Sequence, residues 1–155
     1  MIIGLISDTH GLVRPDVHTA LAGVDLILHA GDVGGTDVLD ELALIAPVRA
    51  VFGNTDPVDE PGLELAIDIT LGGLRVHVSH GHEVGRVTAR ALASAYDADL
   101  IVYGHTHRQR VDRVGGRIVV NPGAAGARRY DLEASVGRVT IEGGVVDVSL
   151  VGLAP

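Results

Sequence analysis

The sequence predicts an α/β fold in which two β-sheets pack face to face with helices on the outside. Three short apolar runs in the first half end in polar clusters and alternate with two helical stretches, which is typical of parallel βαβ units. The second half contains three segments divided by Gly-Gly pairs, which is typical of β-hairpins. We therefore expect a parallel N-terminal half and a hairpin-rich, mostly antiparallel C-terminal half within one domain, residues 1–155.

The first half provides three predicted strands and two predicted helices. Short β-branched runs that stop at polar clusters indicate strands buried in a sheet, here residues 2–6, 25–29 and 48–52. The first helix is predicted over residues 15–22, because Pro15 suits a first helical turn. The second is predicted over residues 36–45, with Thr36 as its N-cap.

The second half provides three predicted hairpins, one helix and one further strand. The hairpins cover residues 65–79, 109–120 and 136–151, each with a Gly-Gly turn. Helical spacing predicts a helix over residues 87–96, and a short apolar run predicts a strand over residues 99–103. The exposed edges of such hairpins would allow a homo-oligomer.

The composition excludes several classes of catalytic chemistry. The 155 residues include no Cys and no Lys, since all 12 basic residues are Arg. Disulfides, iron–sulfur clusters, cysteine nucleophiles, P-loop lysines and Schiff-base lysines are therefore excluded. Metal chemistry would have to use imidazole and carboxylate, and the chain contains eight His and 14 Asp.

The charge and the apolar pattern limit the partners that we expect. A net charge of −8, with no Trp and one Phe, predicts no nucleic-acid binding platform. No apolar run approaches the roughly 18 residues of a membrane span. The N-terminus has no basic segment typical of a signal peptide. We therefore expect a cytoplasmic protein that does not bind membranes.

Candidate metal-ligating side chains follow nearly every predicted strand. They are Asp8, His10, Asp32, Asn54, His80, His105 and His107. Because the carboxyl ends of parallel strands meet at one edge of a sheet, these side chains should converge. Seven oxygen and nitrogen donors are too many for one tetrahedral ion and suit two ions about 3.5–4 Å apart. Imidazole with carboxylate favours Mn, Fe, Zn or Ni over Ca or Mg alone.

The spacing within the clusters adds to this prediction. Asp8 and His10 are two residues apart, as are His105 and His107, so in an extended segment each pair shares one face. Any one of these clusters alone is also compatible with ordinary turn chemistry. The metal interpretation depends on five clusters in order, each at the end of a predicted strand.

The ordered clusters resemble the calcineurin-like metallophosphoesterases. The matching motifs are Asp8-x-His10, Gly31-Asp32, Gly53-Asn54, His80-Gly81-His82, Gly104-His105-x-His107 and Asn121-Pro122-Gly123. The resemblance covers about residues 1–150 and is greatest to the small phosphodiesterase subgroup, which also includes a non-catalytic scaffold subunit of retromer. It implies the four-layer α/β/β/α form of the predicted fold.

The resemblance also implies a dinuclear centre, with two divalent ions per chain. Mn is preferred, with Ni, Fe and Zn as alternatives. One ion would be held by Asp8, His10, Asp32 and His107. The other would be held by Asp32, Asn54, His80 and His105, so that Asp32 bridges. A hydroxide bridging the ions would attack a small phosphodiester in line with the leaving group. The alternatives are a phosphomonoesterase and a non-catalytic scaffold of the same fold.

Two positions depart from the family pattern. Thr55 stands where many relatives carry His as an acid for the leaving group, which favours a phosphodiester over a phosphomonoester. His82 is either a substitute acid or a turn residue. Ala124 stands where relatives often have Ser. Arg128 and Arg129 either bind a phosphate in a forked geometry or are surface charges.

The remaining histidines and two acidic residues are assigned supporting roles. We expect His29 to pack beside the ligands, and His18 and His77 to be structural or solvated. Asp56 and Glu83 are expected to orient ligating histidines.

Overall fold

The structure of the protein, a computed structural model, describes residues 1–129 and 131–155. In chain order its elements are β1 (Ile2–Ile6), α1 (Pro15–Ala20), β2 (Leu26–His29), α2 (Thr36–Ala43), β3 (Val48–Val51), β4 (Leu63–Glu64), β5 (Ile67–Leu71), β6 (Leu74–Val78), a 3₁₀ turn (His82–Val84), α3 (Ala89–Ala95), β7 (Leu100–Val102), β8 (Arg110–Val114), β9 (Arg117–Asn121), β10 (Ser135–Glu142) and β11 (Val145–Gly152).

The first sheet has the strand order β11-β10-β1-β2-β3-β4. Strands β1 to β4 are mutually parallel, whereas β10 lies antiparallel to β1. The C-terminal hairpin therefore completes the N-terminal sheet at the free edge of β1. Ile6 lies opposite His29, and His29 opposite Ala50, so the carboxyl ends of β1, β2 and β3 lie at one level.

The second sheet has the order β5-β6-β7-β9-β8, with parallel strands at its centre. The predicted hairpins β5–β6 and β8–β9 are antiparallel, but β6, β7 and β9 are mutually parallel. Helix α3 returns the chain between β6 and β7, and β8 returns it between β7 and β9. Val78, Val102 and Val120 lie side by side, so these three strands also end at one level.

The two sheets bury an apolar core between them. Leu5 and Leu28 of the first sheet lie in one cluster with Val78 and Val102 of the second. A second cluster joins α1 and α2 to the outer face of the first sheet, and a third joins α3 to the outer face of the second. This is the predicted four-layer α/β/β/α arrangement, and the fold class is confirmed.

Local details differ from the sequence-based predictions. The short strand β4 was not predicted, because two residues carry no periodic pattern; Leu63 pairs with Ala50 of β3. Thr36 is the first residue of α2 rather than its N-cap. Gly35 occupies the N-cap with φ of 120°, a conformation that glycine reaches without a steric penalty.

The observed bounds of the helices also differ from the predicted bounds. Both α1 and α2 end two residues before their predicted limits. In the third helical region the helix itself begins only at Ala89, where the side chain of Thr88 accepts a hydrogen bond from Ala91 N. Among the described residues, no helix is long and apolar enough to cross a membrane. The single domain and the homo-oligomer stay predictions.

Truncation of a core leucine should destabilise the protein. Leu5→Ala removes a fully buried side chain from the cluster between the sheets, so we expect a loss of about 3 kcal/mol in the free energy of unfolding. Leu44→Ala is the matched control, because Leu44 is 80% exposed and should change this free energy by less than about 0.5 kcal/mol. Urea titration followed by circular dichroism measures both. Equal losses would contradict the assigned core.

Candidate metal centre

The loops that follow β1, β2, β6 and β7 are joined to one another by backbone hydrogen bonds. Asp8 N donates to Gly31 O at 2.9 Å, and Gly104 N donates to His80 O at 2.9 Å. One further hydrogen bond, from His105 N to Asp8 Oδ2 at 3.1 Å, connects the loops of the two sheets. The parallel strand ends thus bring these four distant segments of the chain to one edge of the molecule.

Two carboxylates lie among the imidazoles at this edge. Asp8 Oδ1 is 3.3 Å from His107 Nε2, 3.8 Å from His10 Nε2 and 3.9 Å from His80 Nε2. Asp32 Oδ2 is 3.3 Å from His80 Nε2 and 3.6 Å from His10 Nε2. Asp32 therefore lies between one imidazole of each expected ligand group, while Asp8 contributes to two candidate three-residue metal groups, with His10 and His107 and with Asp32 and His80.

Asn54 and His105 form the more exposed side of the cluster. His105 Nδ1 and Asn54 Oδ1 are 3.1 Å apart, and the His105 ring lies 5.2 Å from that of His80, centroid to centroid. Burial, and then the proximity of His80, lowers the pKa of His105, so this imidazole is neutral at neutral pH. All seven candidate ligands thus lie around one edge of the fold.

The donor atoms that face one another are buried and unsatisfied. Asp8 Oδ1, His10 Nε2 and His80 Nε2 have no hydrogen-bond partner among the described residues. A buried polar atom without a partner costs about 1–3 kcal/mol. Divalent cations in the two candidate groups would satisfy these atoms, and the mixed imidazole and carboxylate set suits such ions. The residues present therefore fit a metal site.

Hydrogen bonds orient the ligand atoms toward this centre. His80 Nδ1 donates to Ala30 O at 2.8 Å, which leaves the lone pair on Nε2. Asp8 Oδ2 accepts from Ser7 Oγ at 2.6 Å, and Asp32 Oδ1 accepts from Thr55 N at 3.0 Å. Burial opposes the ionisation of Asp32, but the nearby His80 imidazole and the hydrogen bond from Thr55 N outweigh it and hold the Asp32 pKa below its usual range.

The backbone of the candidate ligands is strained. In the described part of the chain the non-glycine residues with positive φ are Asp8, His10, Asp32, His105 and His107, at 45° to 71°. Such backbone costs about 1–2 kcal/mol per residue for an L-amino acid. The expected extended geometry of the two Asp/His-x-His pairs is therefore wrong. The tight turns after the strands, rather than strand alternation, aim both members of each pair at the centre.

Two glycines allow the loops to approach one another closely. A β-carbon at Gly104 would collide with Ser7 Oγ and Asp8 Oδ2. A β-carbon at Gly53 would collide with Asp32 Oδ1. Both glycines stand directly beside candidate ligands, so their role here is to leave space for a carboxylate.

Asp56 acts on the backbone of the centre rather than on a histidine. Its carboxylate accepts hydrogen bonds from Val33 N, Gly34 N and Gly53 N at 2.9–3.0 Å. The loop that carries Asp32 is thereby tied to the loop that follows β3. Glu83 likewise accepts from Ser79, Gly81 and Tyr96. The expectation that the two acidic residues would orient ligating histidines is wrong.

His29 packs behind the centre, as expected. It is fully buried, its Nδ1 accepts from Gly31 N at 3.1 Å, and its Nε2 lies 2.9 Å from Thr9 Oγ1. Thr9 Oγ1 donates to Val33 O, so His29 Nε2 is the donor of that pair. Burial lowers the pKa of His29 to about 4, against the opposing effect of Asp8. His29 is therefore a neutral link between β2 and the loops.

The other histidines have structural contacts. His18 Nε2 lies 3.0 Å from Glu41 Oε1, which joins α1 to α2. His77 Nδ1 lies 2.8 Å from Asp68 Oδ1, and its ring stacks on Tyr96. Both histidines lie outside the candidate centre, in agreement with the sequence-based expectation.

The two arginines that follow the Asn-Pro-Gly loop have different surroundings. Arg128 Nε donates to Leu132 O at 3.2 Å on the surface. Arg129 lines a cleft beside His105 and His107, together with Arg108, which the sequence interpretation did not single out. Ala124 is buried, and the side chain of Thr55 is exposed.

Sequence reasoning missed two supporting residues. Ser7 donates to Asp8, a role that only its position directly before Asp8 could have suggested. Asn121 Nδ2 donates to Gly104 O at 3.2 Å and to Thr106 Oγ1 at 3.0 Å, and so supports the loop between two candidate ligands. The resemblance had marked Asn121 as a family motif without a role.

Comparison with a family model identifies the domain type. The model described as the calcineurin-like phosphoesterase superfamily domain matches residues 1–144.

Comparison with individual proteins gives relatives of similar length. A probable metallophosphoesterase of Methanocaldococcus jannaschii is 33% identical over 92% of this chain and 77% of its own. A protein of the same organism named as a phosphodiesterase is 28% identical over 79% of this chain and 83% of its own. The crystal structure of wild-type Vps29 from Entamoeba histolytica, complexed with Zn²⁺, is 25% identical and has a TM-score of 0.81 over 98% of this chain and 99% of its own.

Removal of the Asp56 carboxylate should loosen two of the loops. Asp56→Ala leaves three backbone N–H groups without their acceptor, so we expect a loss of at least about 2 kcal/mol in the free energy of unfolding. We also expect Mn²⁺ affinity to fall by roughly 10- to 100-fold, measured by calorimetry. Asp59→Ala, an exposed acidic residue of the same loop, is the control. Equal effects of the two substitutions would contradict the assigned role of Asp56.

Acid should destabilise the protein through His29. The unfolded imidazole binds a proton near pH 6.5 and the folded one only near pH 4, so the stability contributed by neutral His29 is lost as the pH falls between these values. From neutral pH to about pH 5, the wild type should lose about 2 kcal/mol more than His29→Asn. Urea titrations across this pH range measure the difference. Parallel pH profiles would show that His29 does not titrate as stated.

Proposed function

Because this chain belongs to the calcineurin-like phosphoesterase superfamily, we propose that it is a metal-dependent phosphodiesterase with a dinuclear centre. The observation that carries the proposal is the set of buried, mutually facing donor atoms, Asp8 Oδ1, His10 Nε2 and His80 Nε2, which lack hydrogen-bond partners among the described residues. A structural ion-pair network would satisfy such atoms internally, whereas a metal site leaves them free for the ion.

In this proposal seven side chains hold two divalent ions. One ion is assigned to Asp8, His10, Asp32 and His107, and the other to Asp32, Asn54, His80 and His105. The 3.3 Å and 3.6 Å separations of Asp32 Oδ2 from His80 and His10 support the bridging role of Asp32. Mn²⁺ is the preferred ion, and Ni, Fe and Zn share the same ligand preferences.

The reaction is hydrolysis of a small phosphodiester by in-line attack of water. The chemistry that divalent ions supply at such a site is a water of lowered pKa and neutralisation of charge on the phosphoryl oxygens. The residues of the chain hold and orient this centre, so that no protein nucleophile is needed. Arg108 and Arg129, beside His105 and His107, would meet an anionic group of the substrate.

A phosphodiester is preferred over a phosphomonoester because of position 55. Thr55 contributes its backbone N–H to Asp32, and its side chain cannot donate a proton as an imidazolium would. Substrates with leaving groups that depart without protonation are therefore favoured. The similarity to a relative named as a phosphodiesterase supports the same choice.

The alternative is a binding scaffold of the same fold without catalysis. The similarity to Vps29 favours it, at a TM-score of 0.81. That relative was solved with Zn²⁺, so metal binding alone does not separate a scaffold from an enzyme. The two hypotheses differ in turnover, which must therefore be measured.

Loss of the bridging carboxylate should abolish activity. With Mn²⁺ supplied, the wild type should hydrolyse bis(p-nitrophenyl) phosphate, and Asp32→Ala should lose at least about 100-fold in kcat/KM, because both ions lose a ligand. Asp147→Ala, an exposed carboxylate on β11, is the matched control and should keep wild-type activity. Release of p-nitrophenolate gives the rate, and elemental analysis gives the metal content.

Three results would contradict the proposal. Full activity of Asp32→Ala would show that the assigned centre does not take part in the reaction. Turnover that persists after removal of metal would exclude the metal-dependent route. No turnover with Mn, Ni, Fe or Zn, while metal is bound, would favour the scaffold.

A further inference from the structure

A mostly apolar cleft of about 360 Å³ adjoins the candidate centre on the side of the second ion. Its walls include Phe52, Leu65, Ala66, His82, Glu83 and Tyr96. We call it the aryl cleft. It lies where the chain passes from β4 in the first sheet to β5 in the second, because residues 65 and 66 form that crossing.

The aryl cleft lies beside the candidate ligands. Phe52 stands two residues before Asn54, and His82 stands two residues after His80. The His82 ring lies 5.4 Å from the His80 ring and 6.2 Å from the His105 ring, centroid to centroid. A phosphoester bound at the centre would therefore have a substituent within reach of this cleft.

Aromatic side chains are concentrated in the walls of the aryl cleft. The chain contains one Phe, three Tyr and no Trp, yet the one Phe and one of the three Tyr line this cleft, with the imidazole of His82 as a third ring. The Tyr96 ring is held in place, because its hydroxyl donates to Glu83 at 2.7 Å and His77 stacks on it at a centroid distance of 3.7 Å. Rigid aromatic walls favour an aromatic occupant.

The charge pattern favours a neutral group in the aryl cleft. Among the residues that the structure describes, no arginine lines it, and its carboxylate, Glu83, already accepts hydrogen bonds from Ser79 Oγ, Gly81 N and Tyr96 OH at 2.7–2.8 Å. A cation would have to compete with these three donors, and an anion would be repelled by the negative charge of Glu83. A separate cleft beside His105 and His107 differs, since Arg108 and Arg129 line it.

We propose that the aryl cleft binds one neutral aromatic ring system of the phosphoester substrate, such as an aryl group or a nucleobase. The inference rests on the proposed function and specifies its substrate class. A cleft of this volume lies at the small end of ligand sites, so it admits a ring system rather than a long chain. Anionic groups of the same substrate are directed to the arginine side.

The test compares two phosphonates whose P–C bond is not hydrolysed. With Mn²⁺ supplied, calorimetry on the wild type should give an affinity for phenylphosphonate at least about fivefold above that for ethylphosphonate. Leu65→Ala should reduce this preference by about half or more, because the exposed Leu65 side chain forms part of the wall. Leu44→Ala is the matched control, since Leu44 and Leu65 are 80% and 78% exposed, and it should keep the preference.

A filling variant gives a second, independent readout. Ala66→Trp should occupy the cleft and remove the preference for phenylphosphonate, with folding checked by circular dichroism. Equal affinities for the two ligands in the wild type, or equal effects of the two leucine substitutions, would contradict the assignment of the aryl cleft as the site of an aromatic ring. If the preference holds but no phosphodiester is hydrolysed, the proposed function fails and the binding assignment stands. If a phosphodiester is hydrolysed but phenylphosphonate is not preferred over ethylphosphonate, only the binding assignment of the aryl cleft is contradicted.

Discussion

The buried carboxylate of Asp8 is the contact on which the candidate centre depends. Its Oδ2 accepts hydrogen bonds from Ser7 Oγ and from His105 N, which joins a loop of the first sheet to a loop of the second. Its Oδ1 stays free and faces three imidazoles within 3.3–3.9 Å. One side chain thus sets the relative position of the two sheets at their common edge and contributes a ligand atom there. The space for it comes from Gly104, where any β-carbon would collide with the same carboxylate.

The candidate centre raises the free energy of the fold, because it contains strained backbone and, in the described part of the chain, buried polar atoms without hydrogen-bond partners. Five candidate ligands have positive φ, and three of their facing donor atoms are buried without partners among the described residues. Strain of this kind persists only where the surrounding structure over-determines it. Here the surrounding structure is the apolar core between the sheets, together with Asp56 and His29, which tie the loops to one another from behind. These contacts are made by the chain itself and hold the loops that carry the candidate ligands.

The two clefts beside the candidate centre have different linings, which would orient a bound substrate in the proposed reaction. Aromatic and aliphatic walls lie beside Asn54 and His80, whereas arginines lie beside His105 and His107. A net charge of −8 would by itself repel a phosphoester, so the proposed binding would depend on the local charge of bound ions and of these arginines. The absence of Cys and Lys agrees with a reaction in which the nucleophile is water and the ligands are imidazole and carboxylate.

The order of strands and helices in the first half, the hairpins and the clustered Asp, His and Asn side chains were predictable from local patterns, because periodicity and turn residues act over a few neighbouring positions. Four features emerged from the three-dimensional packing alone: the parallel direction of β6, β7 and β9, the short strand β4, the left-handed backbone of candidate ligands and the partners of Asp56. The same packing also decided that Phe52, Leu65 and Tyr96 meet in one cleft. Each of these features depends on contacts between segments far apart in the chain, which local patterns do not encode.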